Sequence, residues 1–206
     1  MDLTGLVSER ITIKMQNGTE PYKERPLDLW EKILMYAKKT SFMGCSINGS
    51  IEGKRDDGLL TGHAYSLIDA FEIQTQKDGL AKLLRIQNPW GSMQSQEWNG
   101  DWSDGSLELI HDIDGINQQI VNLHGKEAEL FNPDKKDGQF IMCFDDYYKA
   151  FTNMCVVFKF DKEWNGVRFT DVWNDENLGG MHNDPDWHKN LKYRVDIDRQ
   201  DGEDTS

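Results

Sequence analysis

The chain has 206 residues, a formal net charge of -13 at pH 7 and an aromatic content of 11%. This length is sufficient for one large domain with a hydrophobic core, alone or with part of a second domain. The strongly acidic balance argues against a nucleic-acid partner, because a negative surface repels phosphates. The aromatic content excludes a disordered acidic chain, which lacks the apolar groups needed to offset chain entropy.

Targeting signals and cysteine usage bear on the compartment. The first thirty residues contain no apolar core of the signal-peptide type, and no later stretch approaches the roughly 20 apolar residues of a transmembrane helix. The three cysteines, Cys45, Cys143 and Cys155, form no CxxC pair, and their odd number fits reduced thiols better than a disulfide framework. We therefore expect a cytoplasmic protein without a transmembrane segment.

Hydrophobic periodicity predicts alternating strands and helices along the first 160 residues. Apolar residues recur at three- and four-residue spacing after Pro26, which is typical of a core helix. A polar loop follows at Asn48–Gly58, and the composition changes near Asp161 before an acidic tail. The predicted strands and the second helix are, in chain order, strands Glu9–Met15, Ser41–Ile47, Ala64–Ile73 and Leu80–Gln87, helix Asp145–Asn153, and strands Met154–Phe160 and Lys192–Ile197.

The two central strands, Ala64–Ile73 and Leu80–Gln87, predict a β-hairpin whose register depends on its turn. A loop centred on Thr75 and Gln76 places His63 directly opposite Asn88, on the same face of the sheet. A tight turn at Asp78 and Gly79 instead pairs Asn88 with Asp69 and separates it from His63. Contact between the imidazole and the carboxamide is therefore expected only with the longer loop.

Short motifs around this hairpin resemble the calpain family of cysteine proteases. The resemblance covers roughly the first 160 residues, which correspond to the second half of the calpain protease core, and continues more weakly into the β-sandwich domain that follows it. The motifs that carry it are Gly62-His63-Ala64-Tyr65, Arg85-Ile86-Gln87-Asn88-Pro89-Trp90-Gly91, Trp98, Gly100, Trp102-Ser103-Asp104, Phe42-Met43-Gly44-Cys45-Ser46-Ile47, Asp137-Gly138-Gln139-Phe140 and Phe144-Asp145-Asp146-Tyr147.

The resemblance implies an α+β fold, in which an antiparallel, barrel-like sheet with a few helices forms half of a papain-like protease core. Residues 1–160 would be the subdomain that carries His and Asn, and residues 161–206 would begin a β-sandwich and end in the acidic tail. His63 would be the general base, Asn88 would orient its ring, and Trp90 would shield that hydrogen bond from water. The nucleophilic cysteine would lie in an upstream subdomain, because Cys45, Cys143 and Cys155 fall outside the nucleophile motif.

The family resemblance also implies a calcium (Ca²⁺) site in this subdomain. Calcium prefers six to eight hard oxygen ligands, which several acidic loops can supply together. Gln139 stands where an acid is usual, so weaker binding or loss of the site is expected. The implied ligands are Glu97, Asp104, Asp137, Gln139 and the backbone carbonyl of Lys135.

The sequence therefore predicts part of a calcium-dependent, calpain-like cysteine endopeptidase that hydrolyses intracellular proteins. It should be inactive alone, because its partner, the upstream Cys-bearing subdomain, supplies the nucleophile. A second interpretation is a non-catalytic calpain-like module that binds calcium or a protein partner. A third, another papain-like thiol enzyme such as an acyl transferase, is disfavoured by Asn88, since those enzymes usually pair His with Asp.

Overall fold

A computed structural model describes residues 7–13, 26–39, 42–77, 79–91, 97–133, 137–158, 172, 174–180 and 183–192. The chain divides into two compact units, Met1–Asp161 and Lys162–Ser206. In the second unit, the described residues include a short 3-10 helix at Trp187–Lys189, and Asn190 Oδ1 accepts a hydrogen bond from Gly179 N at 2.7 Å. The predicted strand Lys192–Ile197 lies outside the described residues except for Lys192, so the expected β-sandwich remains a prediction.

Six strands of the first unit form one antiparallel sheet in the order β1-β8-β2-β5-β6-β7. The fold class is therefore α+β, as predicted. The sheet is open, because no pairing among the described residues joins β1 to β7. Its strands are β1 (Ser8–Thr12), β2 (Phe42–Ile47), β5 (His63–Gln74), β6 (Leu80–Gln87), β7 (Gln139–Cys143) and β8 (Asn153–Val157).

The polar stretch predicted as a loop at Asn48–Gly58 contains one strand of a second, two-stranded sheet. Strands β3 (Gly53–Lys54) and β4 (Leu60–Thr61) pair antiparallel immediately before β5. This small hairpin escaped prediction because two-residue strands carry no hydrophobic alternation. The β3–β4 hairpin returns the chain to the start of β5, so that the loop between β2 and β3 lies close to His63.

Helices cover both faces of the main sheet, and successive side chains of β6 point alternately into the two hydrophobic cores. On one face, α1 (Pro26–Lys38) and α3 (Phe144–Ala150) pack through Trp30 and Tyr147 against a cluster that includes Leu84 and Ile86. On the other face, α2 (Leu107–His124) packs against a cluster that includes Leu83. Successive side chains of a strand point to opposite faces, so β6 contributes to both cores.

Strand β7 and helix α2 are further elements that the sequence prediction missed, and α2 is the longer of the two. Its buried positions Leu109, Ile116 and Ile120 share one face, and the Ser106 hydroxyl accepts a hydrogen bond from Leu109 N at 3.2 Å as an N-cap. Both signals are readable in the sequence. Among the described residues, no helix is long and apolar enough to cross a membrane.

Other predicted boundaries shift by one to three residues. The helix predicted over Asp145–Asn153 ends at Ala150, because Phe151 has extended backbone and leads into β8. The strand predicted over Met154–Phe160 is Asn153–Val157. Such shifts arise because periodicity identifies elements better than their ends.

Candidate active site

The β5–β6 hairpin carries the two residues expected to form the site, and its register differs from both predicted alternatives. From Asp69 opposite Arg85 to Gln74 opposite Leu80, the pairing is regular, and Thr75 N donates to Gly79 O at 2.8 Å across the loop. The loop is therefore centred on Lys77. The predicted centre near Thr75 and Gln76 is wrong, as is the tight turn at Asp78 and Gly79.

A β-bulge corrects the register before the strands reach the site. Between Leu67 and Asp69, β5 advances by two residues while β6 advances by one, so Ile68 is the extra residue. Continued without the bulge, the pairing would place Asn88 opposite Ser66, whose side chain points away from the His63 face. With the bulge, Ser66 pairs with Gln87, and Asn88 falls on the same face as His63.

The structure brings His63 and Asn88 together as the sequence predicted, though by this different route. His63 Nε2 lies 3.0 Å from Asn88 Oδ1, and both residues are buried. The two positions form a diagonal cross-strand pair, a separation that a histidine and an asparagine side chain can bridge.

Backbone contacts hold the Asn88 carboxamide with its oxygen facing the imidazole. Trp90 N donates to Asn88 Oδ1 at 3.0 Å, which identifies that atom as the acceptor. Asn88 N donates to Gly138 O at 2.9 Å. Gly138 has φ of 82°, and a Cβ there would lie 2.8 Å from Asn88 O, so only glycine allows this close approach. Since Asn88 accepts, His63 Nε2 donates.

Two aromatic rings pack against the His63 imidazole. The Trp90 ring centroid lies 4.7 Å from it and the Tyr65 centroid 4.9 Å, both in edge-to-face geometry. Burial raises the pKa of Tyr65 to about 12, and its hydroxyl oxygen accepts a hydrogen bond from Leu60 N at 2.8 Å. Trp90 is 46% exposed, so it covers the histidine as an outer layer. Its proposed role as a shield remains a prediction.

Glu52 is the site residue that sequence reasoning missed. Its carboxylate forms an ion pair with His63 Nδ1, the ring nitrogen not used by Asn88. The residue lies in the loop between β2 and β3, within a stretch read only as polar. No motif or spacing in the sequence distinguishes it from the other acidic residues of this chain.

Two of the three cysteines lie in surroundings that disfavour the reactive thiolate form. Burial raises the pKa of the Cys45 thiol far above its ordinary value, and Cys45 packs in the core. Burial also raises the pKa of Cys143 to about 11, and its thiol donates to Asp146 Oδ2 at 3.1 Å. Cys155 is exposed on β8. The thiolate is the reactive form of cysteine, so the first two thiols are poor nucleophiles.

Arg85, Asp69 and His124 form a polar network behind the Asn88 end of β6, with its first two members buried. Arg85 Nη1 lies 3.4 Å from Asp69 Oδ2, and the other Asp69 oxygen contacts His124 Nε2 at the end of α2. Arg85 Nε donates to Gln139 Oε1 at 2.7 Å, and the preceding residue, Gly138, supplies the carbonyl that accepts from Asn88 N. The side chains of Asp69 and Arg85 are almost completely buried, so the network joins β5, β6, β7 and α2 within the protein interior.

The structure describes four of the five predicted calcium ligands. Glu97 and Asp104 line one cavity of about 660 Å³, together with Asp56. Gln139 instead directs its side-chain oxygen to Arg85, and Asp137 Oδ1 accepts from Gln139 N at 3.0 Å. Within the part of the chain that the structure describes, no three His, Cys, Asp or Glu side chains are grouped to hold a metal ion. Lys135 lies outside the described residues.

Comparison with known proteins identifies a family and several relatives of this chain. The family model described as calpain family cysteine protease matches residues 1–157. A calpain of Schistosoma mansoni is 30% identical over 197 residues, covering 88% of this chain and 24% of the relative. The calpain-1 catalytic subunit of Rattus norvegicus is 29% identical over 216 residues, covering 97% of this chain and 28% of the relative. Calpain clp-1 of Caenorhabditis elegans is 35% identical over 156 residues, covering 74% of this chain and 17% of the relative.

Proposed function

Because this chain belongs to the calpain family of cysteine proteases, we propose that it supplies half of a cysteine endopeptidase active site. His63 is the general base and Asn88 is the residue that orients it. The observation that carries this proposal is the buried contact between His63 Nε2 and Asn88 Oδ1 at 3.0 Å. With Nε2 held by the carboxamide, Nδ1 is the nitrogen that serves the nucleophile.

The proposed chemistry follows from this arrangement. Nδ1 accepts the proton of a cysteine thiol, giving a thiolate and an imidazolium that stabilise each other. The thiolate attacks the peptide carbonyl carbon, and the imidazolium then donates its proton to the leaving amine. Water hydrolyses the resulting thioester with the imidazole as base. Asn88 prevents rotation of the ring throughout, and Trp90 limits water access to the hydrogen bond between them.

The nucleophile belongs to an upstream Cys-bearing subdomain in this proposal. The chain spans about a quarter of the length of two of the relatives described above, 24% and 28%, so the activity of the whole protein is inferred from the family. We propose intracellular proteins as its substrates and the cytoplasm as its location. The net charge of -13 continues to disfavour nucleic acid as a partner.

Calcium dependence is a separate part of the proposal, and no catalytic step depends on it. Its support is the cavity that Glu97 and Asp104 both line, and a complete calcium site there needs further oxygen ligands. Calorimetric titration of the chain with Ca²⁺ tests it. We expect heat of binding that an Asp104→Ala change removes. The absence of heat in both proteins would remove calcium from the proposal.

Peptide hydrolysis by the complete protein tests the catalytic role. His63→Ala should abolish turnover, because no other group in the proposed mechanism accepts the thiol proton, whereas His111→Ala on the exposed side of α2 should leave it unchanged. Retained activity in His63→Ala would refute the assignment. The 206-residue chain alone should be inactive, and hydrolysis that a thiol-protease inhibitor blocks would contradict the missing nucleophile.

The residue at the nucleophile position distinguishes the enzyme from a non-catalytic calpain-like module. A cysteine there, followed by Trp and preceded by the glutamine of the oxyanion hole, supports the endopeptidase. Serine or alanine at that position supports the module, because neither supplies a thiolate. Sequencing of the coding region upstream of Met1 gives this answer directly.

A further inference from the structure

The carboxylate of Glu52 occupies the side of the His63 ring that the proposed mechanism reserves for sulfur. Nε2 contacts Asn88 Oδ1, and Nδ1 contacts Glu52 Oε1. Asn88 Oδ1 also accepts from Trp90 N, so Nε2 donates to it and Nδ1 is the nitrogen that faces Glu52. Glu52 therefore competes for the nitrogen that the proposed mechanism assigns to the thiol.

The loop that carries Glu52 is held against the residues that precede His63. Gly62 N donates to Ile47 O at 2.8 Å, and Thr61 Oγ1 donates to Gly53 O at 3.2 Å, which ties both ends of the loop to this turn. Gly62 has φ of 64°, and a Cβ there would lie 2.8 Å from Ile51 O. This close approach positions the residue after Ile51 beside the imidazole.

The His63 and Glu52 side chains differ in burial, and this difference allows another group to replace Glu52 beside the ring. The His63 side chain is 7% exposed, whereas the Glu52 side chain is 35% exposed. The histidine is fixed between Tyr65 and Trp90, but the carboxylate retains contact with solvent. Glu52 can therefore leave the ring into water, while the ring itself keeps its place.

We propose that Glu52 is a placeholder for the cysteine thiolate, a positioning residue that holds the His63 ring until the nucleophile replaces it. This inference rests on the proposed function. When the Cys-bearing subdomain docks, Glu52 moves into solvent and the proton between its carboxylate and Nδ1 passes to water. Nδ1 then accepts the thiol proton, so the thiolate takes the place of the carboxylate and no covalent bond to carbon changes. Glu52 thereby keeps the ring in its reactive orientation and competes with the thiolate for it.

The first test uses the 206-residue chain and measures carbethoxylation of each histidine by diethylpyrocarbonate with mass spectrometry. Glu52→Gln should increase the rate at His63 about fivefold, as expected for loss of a partly exposed ion pair of about 1 kcal/mol. Glu52→Asp, which keeps the charge, should restore most of the protection. Glu108→Gln, in the first turn of α2, is the matched charge control and should not change the rate. An unchanged His63 rate in Glu52→Gln would overturn the proposal.

The second test uses the complete protein and measures alkylation of the nucleophilic cysteine by iodoacetamide. Because Glu52 competes with the thiolate, Glu52→Gln should increase the alkylation rate about fivefold, the reverse of the loss expected from a purely structural residue. An unchanged or lower rate in this variant would overturn the placeholder role. A wild-type protein that has the cysteine but hydrolyses no peptide would count instead against the proposed function.

Discussion

His63 and Asn88 share one face of the sheet because a bulge at Ile68 removes one residue of β5 from the pairing. Leu67 and Asp69 flank the bulge, and they belong to opposite faces although they are two residues apart. A regular strand would place them on the same face. The bulge therefore decides whether the base can contact its orienting residue.

Two single-residue deletions in β5 should have opposite consequences. Deletion of Ile68 removes the extra residue, so the remaining strand pairs regularly and His63 keeps its face; the cost should be on the order of 1 kcal/mol for the lost side chain. Deletion of the exposed Ser66 moves His63 and Tyr65 to the opposite face and should cost more than about 4 kcal/mol. Urea denaturation measures both, and equal losses would contradict the role assigned to the bulge.

Replacement of Asn88 should lower stability as well as activity. Asn88→Ala removes the acceptor shared by His63 Nε2 and Trp90 N in a fully buried position. Buried donors left without a partner cost roughly 1–3 kcal/mol, and chemical denaturation should show a loss of this size. Asn122→Ala, which removes an exposed asparagine of α2, is the control and should be nearly neutral. Equal stability of the two variants would contradict the buried hydrogen-bond network.

The network of Asp69, Arg85 and His124 predicts unequal stability losses when its members are replaced, because only the first two are buried. Arg85→Met leaves the Asp69 carboxylate, which is 1% exposed as a residue, without its guanidinium and should cost about 3–5 kcal/mol. His124→Ala should cost about 1 kcal/mol or less, because the His124 side chain is 45% exposed.

A double-mutant cycle separates the charge from the packing in this network. The double variant Asp69→Asn/Arg85→Met should be more stable than Arg85→Met alone, because Asp69→Asn removes the buried charge that Arg85→Met leaves unpaired. The free energies of unfolding come from denaturant titrations. A double variant no more stable than Arg85→Met would indicate that the carboxylate does not depend on Arg85.

Stability should fall as the pH rises above 9. Burial raises the pKa of Cys45, and it raises the pKa of Cys143 to about 11 and of Tyr65 to about 12, from ordinary values of 9.0, 9.0 and 10.0. Above pH 9 the unfolded chain releases these protons first, so it binds fewer protons than the native state and the free energy of unfolding decreases. This contribution is complete below pH 9 and is lost as the pH rises through the native values.

Denaturant titrations between pH 8 and pH 11 measure this decrease. Each proton released only by the unfolded chain adds about 1.4 kcal/mol per pH unit to the slope. Cys143→Ala removes one of the three groups and should make the decline shallower. A free energy of unfolding that stays constant from pH 9 to pH 11 would show that these groups do not titrate differently on unfolding.

Local sequence patterns predicted most elements that have a clear period. The three- and four-residue spacing after Pro26 identified α1, and aliphatic runs identified β2, β5 and β6. The same reasoning missed α2, although its spacing of Leu109, Ile116 and Ile120 and its Ser106 cap were present. It also missed β7, and it missed β3 and β4 because strands of two residues have no detectable period.

The amino-acid sequence by itself determined the family, the fold class and the two residues of the proposed catalytic pair, because these depend on short motifs and local periodicity. Only the tertiary structure decided the register of the β5–β6 hairpin, the carboxylate of Glu52 at the second nitrogen of His63, and the direction of Gln139 toward Arg85. A bulge arises where side-chain packing on both faces of a sheet requires one extra residue in a strand. Glu52 contacts His63 only because its loop folds back against the start of β5. Such contacts depend on the whole core and leave no local signal in the sequence.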